Sequence, residues 1–275
     1  MYRCNGRKSF DNPSKIGHLE ALCYAPPVLT VLLPAFNEEA ALPKVFGPIA
    51  EALAGREYRV VVVDDGSCDE TAAVTQRAAA EGPVILVQHG VNRGLAQAMR
   101  TGISWALEHG EGQDDILVAL DADNTHPPAL IPRMADMITA GRADVVIASR
   151  YASGGEEIGL APHRRLFSAG ASWLLRSNFP IPGARDYTCG FRAYRVTLLE
   201  RAADRWGVDG LVEEEGFACM AEILIKLSLL GAQVAEVPLV LRYDLKEGAS
   251  KMKVARTIRQ YLGLIRRLKR LRQAA

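Results

Sequence analysis

The stretch Ile116-Leu117-Val118-Ala119-Leu120-Asp121-Ala122-Asp123 runs from apolar residues directly into two carboxylates. Side chains two residues apart in an extended strand point the same way, so Asp121 and Asp123 can meet one hard divalent cation. Such a cation commonly accompanies a diphosphate. The alternative is a solvated strand end or a turn, where Asp is common. We therefore expect a buried strand over residues 116–120 and a candidate metal site directly after it.

Four other runs of apolar, β-branched residues have the same character. They cover residues 28–33, 59–63, 84–87 and 145–148, and helix-like segments rich in Ala, Leu and Glu separate them. This alternation is typical of βαβ units and predicts the α/β class, a mostly parallel sheet with helices on both faces. Ligands of such sheets bind beyond the carboxyl ends of the strands. The residues that follow each run are therefore the candidate functional residues.

Polar or charged groups follow nearly every run, over residues 34–39, 64–67, 92–94, 121–123 and 149–151. The first of these turns contains neither GxGxxG nor GxxxxGK[ST], which argues against a dinucleotide dehydrogenase or a P-loop NTPase. Carboxylates and backbone groups would instead hold the base and ribose of a nucleotide. Two alternatives stay open. Asp64 and Asp65 could merely bound the next helix, although Asp69 is the better cap, and residues 92–94 could be an ordinary loop.

The composition sets limits on size, partners and redox state. With 275 residues, 49% of them hydrophobic, the chain can bury the core of one large domain or two small ones. A net charge of +1 conceals a basic C-terminus, because residues 251–272 include nine Lys or Arg and no acid. That end implies an anionic partner. The five cysteines form no CxxC pair, which predicts reduced thiols in a cytosolic setting and no zinc site.

The rest of the chain is less regular. Residues 1–27 are expected to form a flexible lead-in without a signal peptide. Helices are predicted over residues 163–176 and 214–230, a strand over residues 233–241, and a basic amphipathic helix over residues 251–275. Lys226 and Glu236 interrupt the most apolar window, so we expect no membrane span and a soluble or peripheral protein.

Eight motifs occur in an order that resembles the GT-A fold, family 2 glycosyltransferases, and within them the dolichol-phosphate (polyprenyl-phosphate) mannosyltransferase branch. The resemblance covers about residues 28–252. The motifs are Asn37-Glu38-Glu39, Val63-Asp64-Asp65-Gly66-Ser67, Asn92-Arg93-Gly94-Leu95-Ala96-Gln97-Ala98, Asp121-Ala122-Asp123-Asn124-Thr125-His126-Pro127-Pro128, Ala148-Ser149-Arg150-Tyr151, Thr188-Cys189-Gly190-Phe191-Arg192, Glu236-Val237-Pro238 and Gly248-Ala249-Ser250-Lys251-Met252.

This resemblance implies a Rossmann-like GT-A domain over residues 28–250, with a nucleotide-binding half (28–150) and an acceptor half (151–250). The implied activity is an inverting, Mg²⁺- or Mn²⁺-dependent transfer of a sugar to polyprenyl or dolichyl phosphate. Mannose from GDP-mannose is the favoured donor. The protein would act as a peripheral enzyme at the cytoplasmic face of a membrane, where a separate subunit could anchor it. No nucleic-acid partner is expected.

The resemblance also implies roles for individual residues. Asp121 and Asp123 would bind the metal, and Asp123, Arg150 and Arg192 would be catalytic. The donor nucleotide would contact Pro34, Phe36, Asn37, Glu38, Val63, Asp65, Gly94, Asp121, Ala122 and Asp123. The acceptor phosphate would contact Arg150, Arg164, Ser168, Ser250 and Lys251. A phosphate acceptor is already an anion, so it needs positive charges to dock it and no general base.

The chain departs from the family pattern in two places. Thr125 stands where many relatives have Gln, so a third metal ligand could be weaker or replaced by water. Many relatives have Arg before the Gly-x-Ser-Lys element, whereas here Asp244 is followed by Leu245. Lys246 or Arg242 could supply the missing charge.

Two other functions are open to the same sequence. A family 2 transferase with a hydroxyl acceptor would need a carboxylate base. Asp186 or one of Glu213, Glu214 and Glu215 could serve, although an acidic run is also typical of a solvated face. A non-catalytic nucleotide-sugar-binding subunit is the other possibility, against which the intact Asp121, Asp123 and Arg192 argue.

Two predicted helices carry apolar faces suited to a lipid partner. One face, in residues 163–176, comprises Leu166, Phe167, Gly170, Trp173 and Leu174; the other, in the C-terminal helix, comprises Val254, Ile258, Tyr261, Leu262, Ile265 and Leu268. Basic amphipathic helices of this kind can lie in an anionic membrane surface. The alternative is that both helices simply pack on the domain.

Overall fold

A computed structural model describes residues 27–110, 112–246 and 254–274. Its first half alternates strands and helices, as the apolar runs predict. The order is β1 (Leu29–Ala35), α1 (Leu42–Ala52), β2 (Tyr58–Asp64), α2 (Thr71–Glu81), β3 (Val84–Gln88), α3 (Leu95–Glu108), β4 (Ile116–Ala119), a short 3₁₀ turn (Pro128–Leu130), α4 (Ile131–Thr139) and β5 (Val145–Ser149).

The second half adds helices and short strands. Its order is β6 (Glu156–Ile158), α5 (Pro162–Asn178), β7 (Arg192–Arg195), α6 (Val196–Leu211), α7 (Ala218–Leu229), β8 (Val234–Pro238), β9 (Val240–Arg242), a 3₁₀ turn (Tyr243–Leu245) and α8 (Val254–Ala274). Helix α6 is kinked at Gly207. No helix in the described ranges is long and apolar enough to cross a membrane.

The central sheet has seven strands in the order β3-β2-β1-β4-β7-β5-β8. Among the described strands of this sheet, β7 alone runs antiparallel, and it pairs with β4 on one side and β5 on the other. Strands β6 and β9 form a separate parallel pair. The predicted α/β class and mostly parallel sheet are confirmed. Because β1, β2, β4 and β5 share one direction, the turns after them meet along one edge of the sheet.

Close packing between strand and helix builds the core. Val61, Val62 and Val63 of β2 are completely buried, as expected for a strand covered on both faces. Helix α3 approaches β1 closely at Gly102, where an added Cβ would lie 2.2 Å from Cδ1 of Leu32. A larger residue at that position would force the buried Leu32 to move.

Two elements differ from their predicted forms. The strand predicted over residues 233–241 is divided into two. The first part, β8, pairs with β5 and ends at Pro238, and the second part, β9, pairs with β6. The helix predicted over residues 214–230 begins at Ala218, so Glu213, Glu214 and Glu215 precede it.

Candidate active site

A cavity of about 860 Å³ lies at the carboxyl edge of the sheet. The turns after β1, β2, β4 and β5 supply one wall, which includes Glu38, Asp65, Asp123 and Arg150. Helices α5 and α8 line the cavity as well. The predicted site residues that line it are Pro34, Phe36, Glu38, Asp65, Gly94, Asp121, Ala122, Asp123, Arg150, Arg164 and Ser168.

The two carboxylates after β4 both line this cavity, but their surroundings differ. Oδ1 of Asp123 accepts hydrogen bonds from the backbone N–H of Thr125 at 3.2 Å and from its hydroxyl at 2.6 Å. Oδ2 of Asp123 accepts a hydrogen bond from Nζ of Lys246. Burial would raise the pKa of Asp123, but the charge of Lys246, the electrostatic effect of the adjacent His126 and these hydrogen bonds hold it below its ordinary value.

Asp121 shows the opposite pKa shift. Burial raises the pKa of this carboxyl group, and the neighbouring charge of Asp123 adds to the effect. Electrostatic interactions with His126, Lys246 and Arg150 offset it only in part. Of the two neighbouring carboxyl groups, Asp123 is therefore the stronger acid.

The donor set fits a hard cation that binds together with a substrate. In the described parts of the chain no cluster of three or more His, Cys, Asp or Glu is placed to hold a metal. Asp121 and Asp123 thus offer two carboxylates and leave other positions for phosphate oxygens and water. Mg²⁺ is commonly bound in this way, by one or two carboxylates plus substrate phosphates. Thr125 engages Asp123 directly, which gives it a role in orienting that carboxylate.

Asp65 anchors a loop that borders the cavity. Its Oδ1 accepts the N–H of Arg93 at 2.9 Å and lies 2.7 Å from Nδ1 of His89, while Oδ2 accepts the N–H of Gly94 at 2.7 Å. Asp65 thereby fixes residues 92–94 to the end of β2. Asp69 accepts the N–H of Thr71, the first residue of α2, but the N-cap position is occupied by Glu70, whose side chain forms no capping hydrogen bond.

Two predicted donor residues do not line the cavity. Val63 is fully buried in β2 and packs in the core. Asn37 joins two turns instead, because its N–H donates to Oγ of Ser67 at 2.9 Å and its Oδ1 accepts the N–H of Cys68 at 2.8 Å. Ser250 and Lys251, predicted for the acceptor phosphate, lie outside the described residues.

The position of Arg192 contradicts the prediction that it is a catalytic residue. Its side chain is completely buried in β7 and does not line the cavity. The guanidinium group donates to the backbone carbonyl of Tyr187 at 2.8 Å and to that of Met220. These contacts tie β7 to the start of α7, so Arg192 supports the fold rather than contacting a phosphate.

Arg150 is held by a bidentate ion pair with Asp186. Nε and Nη2 donate to the two carboxylate oxygens of Asp186 at 2.7 Å each. Nη1 donates to Glu157 at 3.1 Å and to Oγ of Ser168 at 2.8 Å. Burial would raise the pKa of Asp186, but the charge and hydrogen bonds of Arg150 hold it below its ordinary value. Asp186 is therefore a poor general base, and its prediction in that role is corrected.

Arg164 has a different environment at the same cavity. Its Nη1 donates to the hydroxyl of Tyr243 at 2.9 Å, and within the described ranges it forms no ion pair with a carboxylate. Ser168 lies one helical turn further along α5, and its hydroxyl also accepts a hydrogen bond from Tyr151 at 3.1 Å. Arg164 and Ser168 thus face the cavity with capacity to bind an anion.

The acidic run before α7 holds the C-terminal helix in place. Arg267 of α8 forms ion pairs with Glu213, Glu214 and the buried Glu222. Burial and the charge of Glu222 raise the pKa of Glu214 to about 7. Of the three acids in the run, Glu215 is the one that lines the cavity.

Helix α8 contributes to the cavity wall through Thr257, Gln260 and Tyr261. Nε2 of Gln260 donates to the backbone carbonyl of Glu215 at 3.1 Å. The apolar face predicted for this helix is divided, because Tyr261, Ile265 and Leu268 are buried whereas Ile258 and Leu262 are 44% exposed. Val254 lies where side chains are not described.

The sequence model of the family described as glycosyl transferase family 2 matches residues 30–202. The chain belongs to this family. It is 35% identical to the dolichol-phosphate mannosyltransferase of Pyrococcus furiosus over 87% of this chain and 63% of that protein. The undecaprenyl-phosphate mannosyltransferase of Micrococcus luteus is 34% identical over 82% of this chain and 87% of its own length. The polyprenol monophosphomannose synthase of Mycolicibacterium smegmatis is 32% identical over 81% of this chain and 80% of its own length.

Solved structures support the fold assignment. Glucosyl-3-phosphoglycerate synthase from Mycobacterium tuberculosis, crystallised with Mn²⁺, UDP and phosphoglyceric acid, matches with a TM-score of 0.61 at 21% identity, over 87% of this chain and 78% of that one. TarS 1-349 from S. aureus matches with a TM-score of 0.53, and the match covers 77% of this chain and 59% of the TarS chain. The predicted GT-A fold and the resemblance to this branch of the family are confirmed.

Several cavity residues were not predicted from the sequence. The motif Thr188-Cys189-Gly190 carried no assigned role, yet all three residues line the cavity. An added Cβ at Gly190 would lie 3.3 Å from Oδ1 of Asp121, so a small residue keeps that carboxylate accessible. The cavity residues of α8 carry no motif, and only the folded position of the helix brings them to the site.

Proposed function

We propose that this family 2 glycosyltransferase transfers mannose from GDP-mannose to a polyprenyl or dolichyl phosphate. The observation that carries the proposal is the cavity itself, which combines the carboxylates of Asp121 and Asp123 with the guanidinium group of Arg164, whose described partner is the neutral hydroxyl of Tyr243. Such a cavity suits a metal-bound diphosphate on one side and an anionic acceptor on the other. The names of the three curated relatives support the choice of mannose and of a lipid phosphate.

On the donor side, Asp121 and Asp123 would hold Mg²⁺ or Mn²⁺. The ion would neutralise the charge that develops on the departing nucleoside diphosphate. Pro34, Phe36, Glu38, Asp65 and Gly94 would surround the nucleoside. Because Asp65 already fixes residues 92–94 to β2, this part of the pocket is organised before the nucleotide binds.

On the acceptor side, Arg164 and Ser168 would dock the lipid phosphate. One of its oxygens forms the new bond to the anomeric carbon while the bond from that carbon to the diphosphate oxygen breaks. The nucleoside diphosphate departs with the electron pair. Attack from the side opposite the leaving group inverts the anomeric configuration. The attacking oxygen is anionic, so no protein group has to remove a proton.

One observation favours a hydroxyl acceptor as a second candidate. Glu215 lines the cavity and is a carboxylate that could act as the base. A hydroxyl-directed enzyme would lose activity on Glu215→Gln. An enzyme that uses a lipid phosphate would keep most of it.

The acceptor's lipid tail gives a reason for peripheral binding to an anionic membrane at its cytoplasmic face. Leu166 and Trp173 of α5 are 77% and 69% exposed, and α5 packs against α8, where Ile258 and Leu262 are also exposed. Arg165, Arg259 and Arg266 are exposed on the same helices. Apolar side chains flanked by basic ones are suited to an anionic lipid surface.

The function is tested by incubating the purified protein with Mn²⁺, polyprenyl phosphate and a panel of GDP- and UDP-sugars. Sugar that partitions into the organic phase is then measured. We expect transfer from GDP-mannose, and its loss in Asp123→Asn. The proposal is wrong if no nucleotide sugar yields a lipid-linked product. A product from a different nucleotide sugar would correct the donor alone.

A further inference from the structure

A cation of the chain already occupies one oxygen of Asp123. Lys246 directly follows the 3₁₀ turn after β9, and its Nζ donates to Oδ2 of Asp123. The two side chains are only 13% and 9% exposed. The ammonium group also lies 5.8 Å from the centre of the Tyr243 ring. Lys246 is thus a positive charge held inside the cavity.

The structure separates Lys246 from the other residue that could supply this charge. Arg242 pairs with Asp244, with Nε 2.9 Å from Oδ1 and Nη2 2.8 Å from Oδ2. These two side chains are 43% and 36% exposed and do not line the cavity. Arg242 therefore provides a matched cation outside the site, on the same short segment.

Both oxygens of Asp123 have partners in this arrangement. Thr125 engages Oδ1 through its N–H and its hydroxyl, and Lys246 engages Oδ2. A divalent cation and an ammonium group cannot share one carboxylate oxygen without strong repulsion at such short range. Lys246 must therefore leave Oδ2 before Asp123 can serve as a metal ligand there.

We propose that Lys246 is an internal counter-ion of Asp123. When a divalent cation binds to Asp123, the ammonium group of Lys246 leaves that carboxylate and binds the nucleotide diphosphate instead. This inference rests on the proposed function for the identity of the diphosphate. Lys246 would be a positioning residue while paired with Asp123. Once released, it would contact the substrate and help to neutralise the extra negative charge that the diphosphate gains when the sugar leaves.

This exchange predicts cooperative binding of metal and nucleotide. The metal alone must compete with Lys246 for Asp123, so it binds weakly. When a nucleotide is present, its diphosphate becomes a new anionic partner for the ammonium group of Lys246. The metal then displaces Lys246 from Asp123 at a smaller cost in free energy. Metal and nucleotide then strengthen each other's binding by the same factor, as linkage requires.

The test measures Mn²⁺ binding to the full chain from the electron paramagnetic resonance signal of free Mn²⁺, first without nucleotide and then with GDP. Lys246→Met should bind Mn²⁺ alone about tenfold more tightly than the wild type, which is within the range of ordinary coupling between sites. GDP should increase the affinity of the wild type for Mn²⁺ much more than that of Lys246→Met. Lys246→Arg and the control Arg242→Met should both resemble the wild type.

The inference is overturned if Lys246→Met binds Mn²⁺ alone no more tightly than the wild type, or if the wild type binds none even with GDP. Lys246→Gln provides a second neutral variant, and thermal unfolding identifies any variant that fails to fold. The Mn²⁺ measurement uses neither sugar nor lipid. A protein that shows the expected Mn²⁺ binding but transfers no sugar would reject the proposed function and leave the counter-ion role intact.

Discussion

At the scale of single residues, Arg150 and Arg164 show how surroundings decide what a charge can do. Arg150 donates to both oxygens of Asp186 and to Glu157, so its charge is already balanced within the protein. Arg164 contacts the neutral hydroxyl of Tyr243. Removing one partner of a buried ion pair leaves an uncompensated charge, so a substitution of Arg150 would disturb the fold as well as the site. Arg164 is the more informative residue to change.

We predict that Arg164→Met raises the KM for polyprenyl phosphate about tenfold or more, which corresponds to ~1.4 kcal/mol, while the KM for the nucleotide sugar changes little. The reason is the loss of the guanidinium group that we propose binds the acceptor phosphate. Steady-state kinetics with each substrate varied in turn provide the measurement. Arg133→Met is the matched control, since Arg133 of α4 is exposed, does not line the cavity and lies outside the proposed membrane surface. Equal changes in both KM values would assign Arg164 to the donor side instead.

The sequence predicts most of the residues that reach the cavity, but it does not predict which of them form ion pairs with one another. The strand ends give Asp65, Asp123 and Arg150 directly, because polar residues after buried parallel strands meet at one edge. The partner of Arg150 is 36 residues away in the chain, and no local pattern connects the two. Arg192 belongs to a motif but lies in the interior, because β7 is paired on both sides.

At the scale of elements, helix α8 is a wall of the cavity that is attached through charged groups. Three carboxylates, Glu213, Glu214 and Glu222, share the cations of Arg267 and Lys226. Burial of the Glu214 carboxyl group, together with the neighbouring negative charge of Glu222, raises its pKa to about 7 against an ordinary 4.5.

The raised pKa has a consequence for stability. Between pH 4.5 and about 7 the folded chain holds a proton on Glu214 that the unfolded chain has lost, so this group's contribution to stability falls as pH rises. We expect Glu214→Gln to reduce the loss of stability between pH 5 and pH 8. The free energy of unfolding of the wild type and of Glu214→Gln, measured by urea unfolding at pH 5 and at pH 8, gives this difference. An identical pH dependence in the variant would show that Glu214 does not titrate in this window.

Exposed apolar residues on α5 lead to a prediction about membrane binding. Leu166→Ser with Trp173→Ser should lower the fraction of protein that sediments with vesicles of anionic phospholipid, because both side chains are largely exposed. The matched control is Val91→Ser, since Val91 is 64% exposed on a loop before α3. Unchanged sedimentation of the double variant would exclude α5 as the contact surface.

Burial makes the first five strands detectable in the amino-acid sequence. The five runs predicted as strands are β1 to β5, because strands covered on both faces are almost continuously apolar. Strand β7 has four residues with Arg at each end, so its sequence lacks that signal. Its place in the sheet depends on pairing with β4 and β5, which local sequence does not encode. The apolar face of α8 was detectable, but its division into buried and exposed parts depends on the packing of the whole domain.

At the scale of the whole molecule, one cavity joins residues from both halves of the chain. The turns after β1, β2 and β4 supply Glu38, Asp65 and Asp123, while α5 supplies Arg164 and Ser168. The first group is suited to a nucleotide with its metal and the second to an anion. We propose that the acceptor is bound through its negative charge and that this charge lets it attack without a general base.

The most direct test compares polyprenyl phosphate with the polyprenol of identical length as acceptors for GDP-mannose. The two lipids have the same apolar tail, and only the phosphate distinguishes them. We predict mannosyl transfer to polyprenyl phosphate and none above background to polyprenol. Comparable transfer to both lipids would contradict the claim, because it would require a base to activate a neutral hydroxyl group.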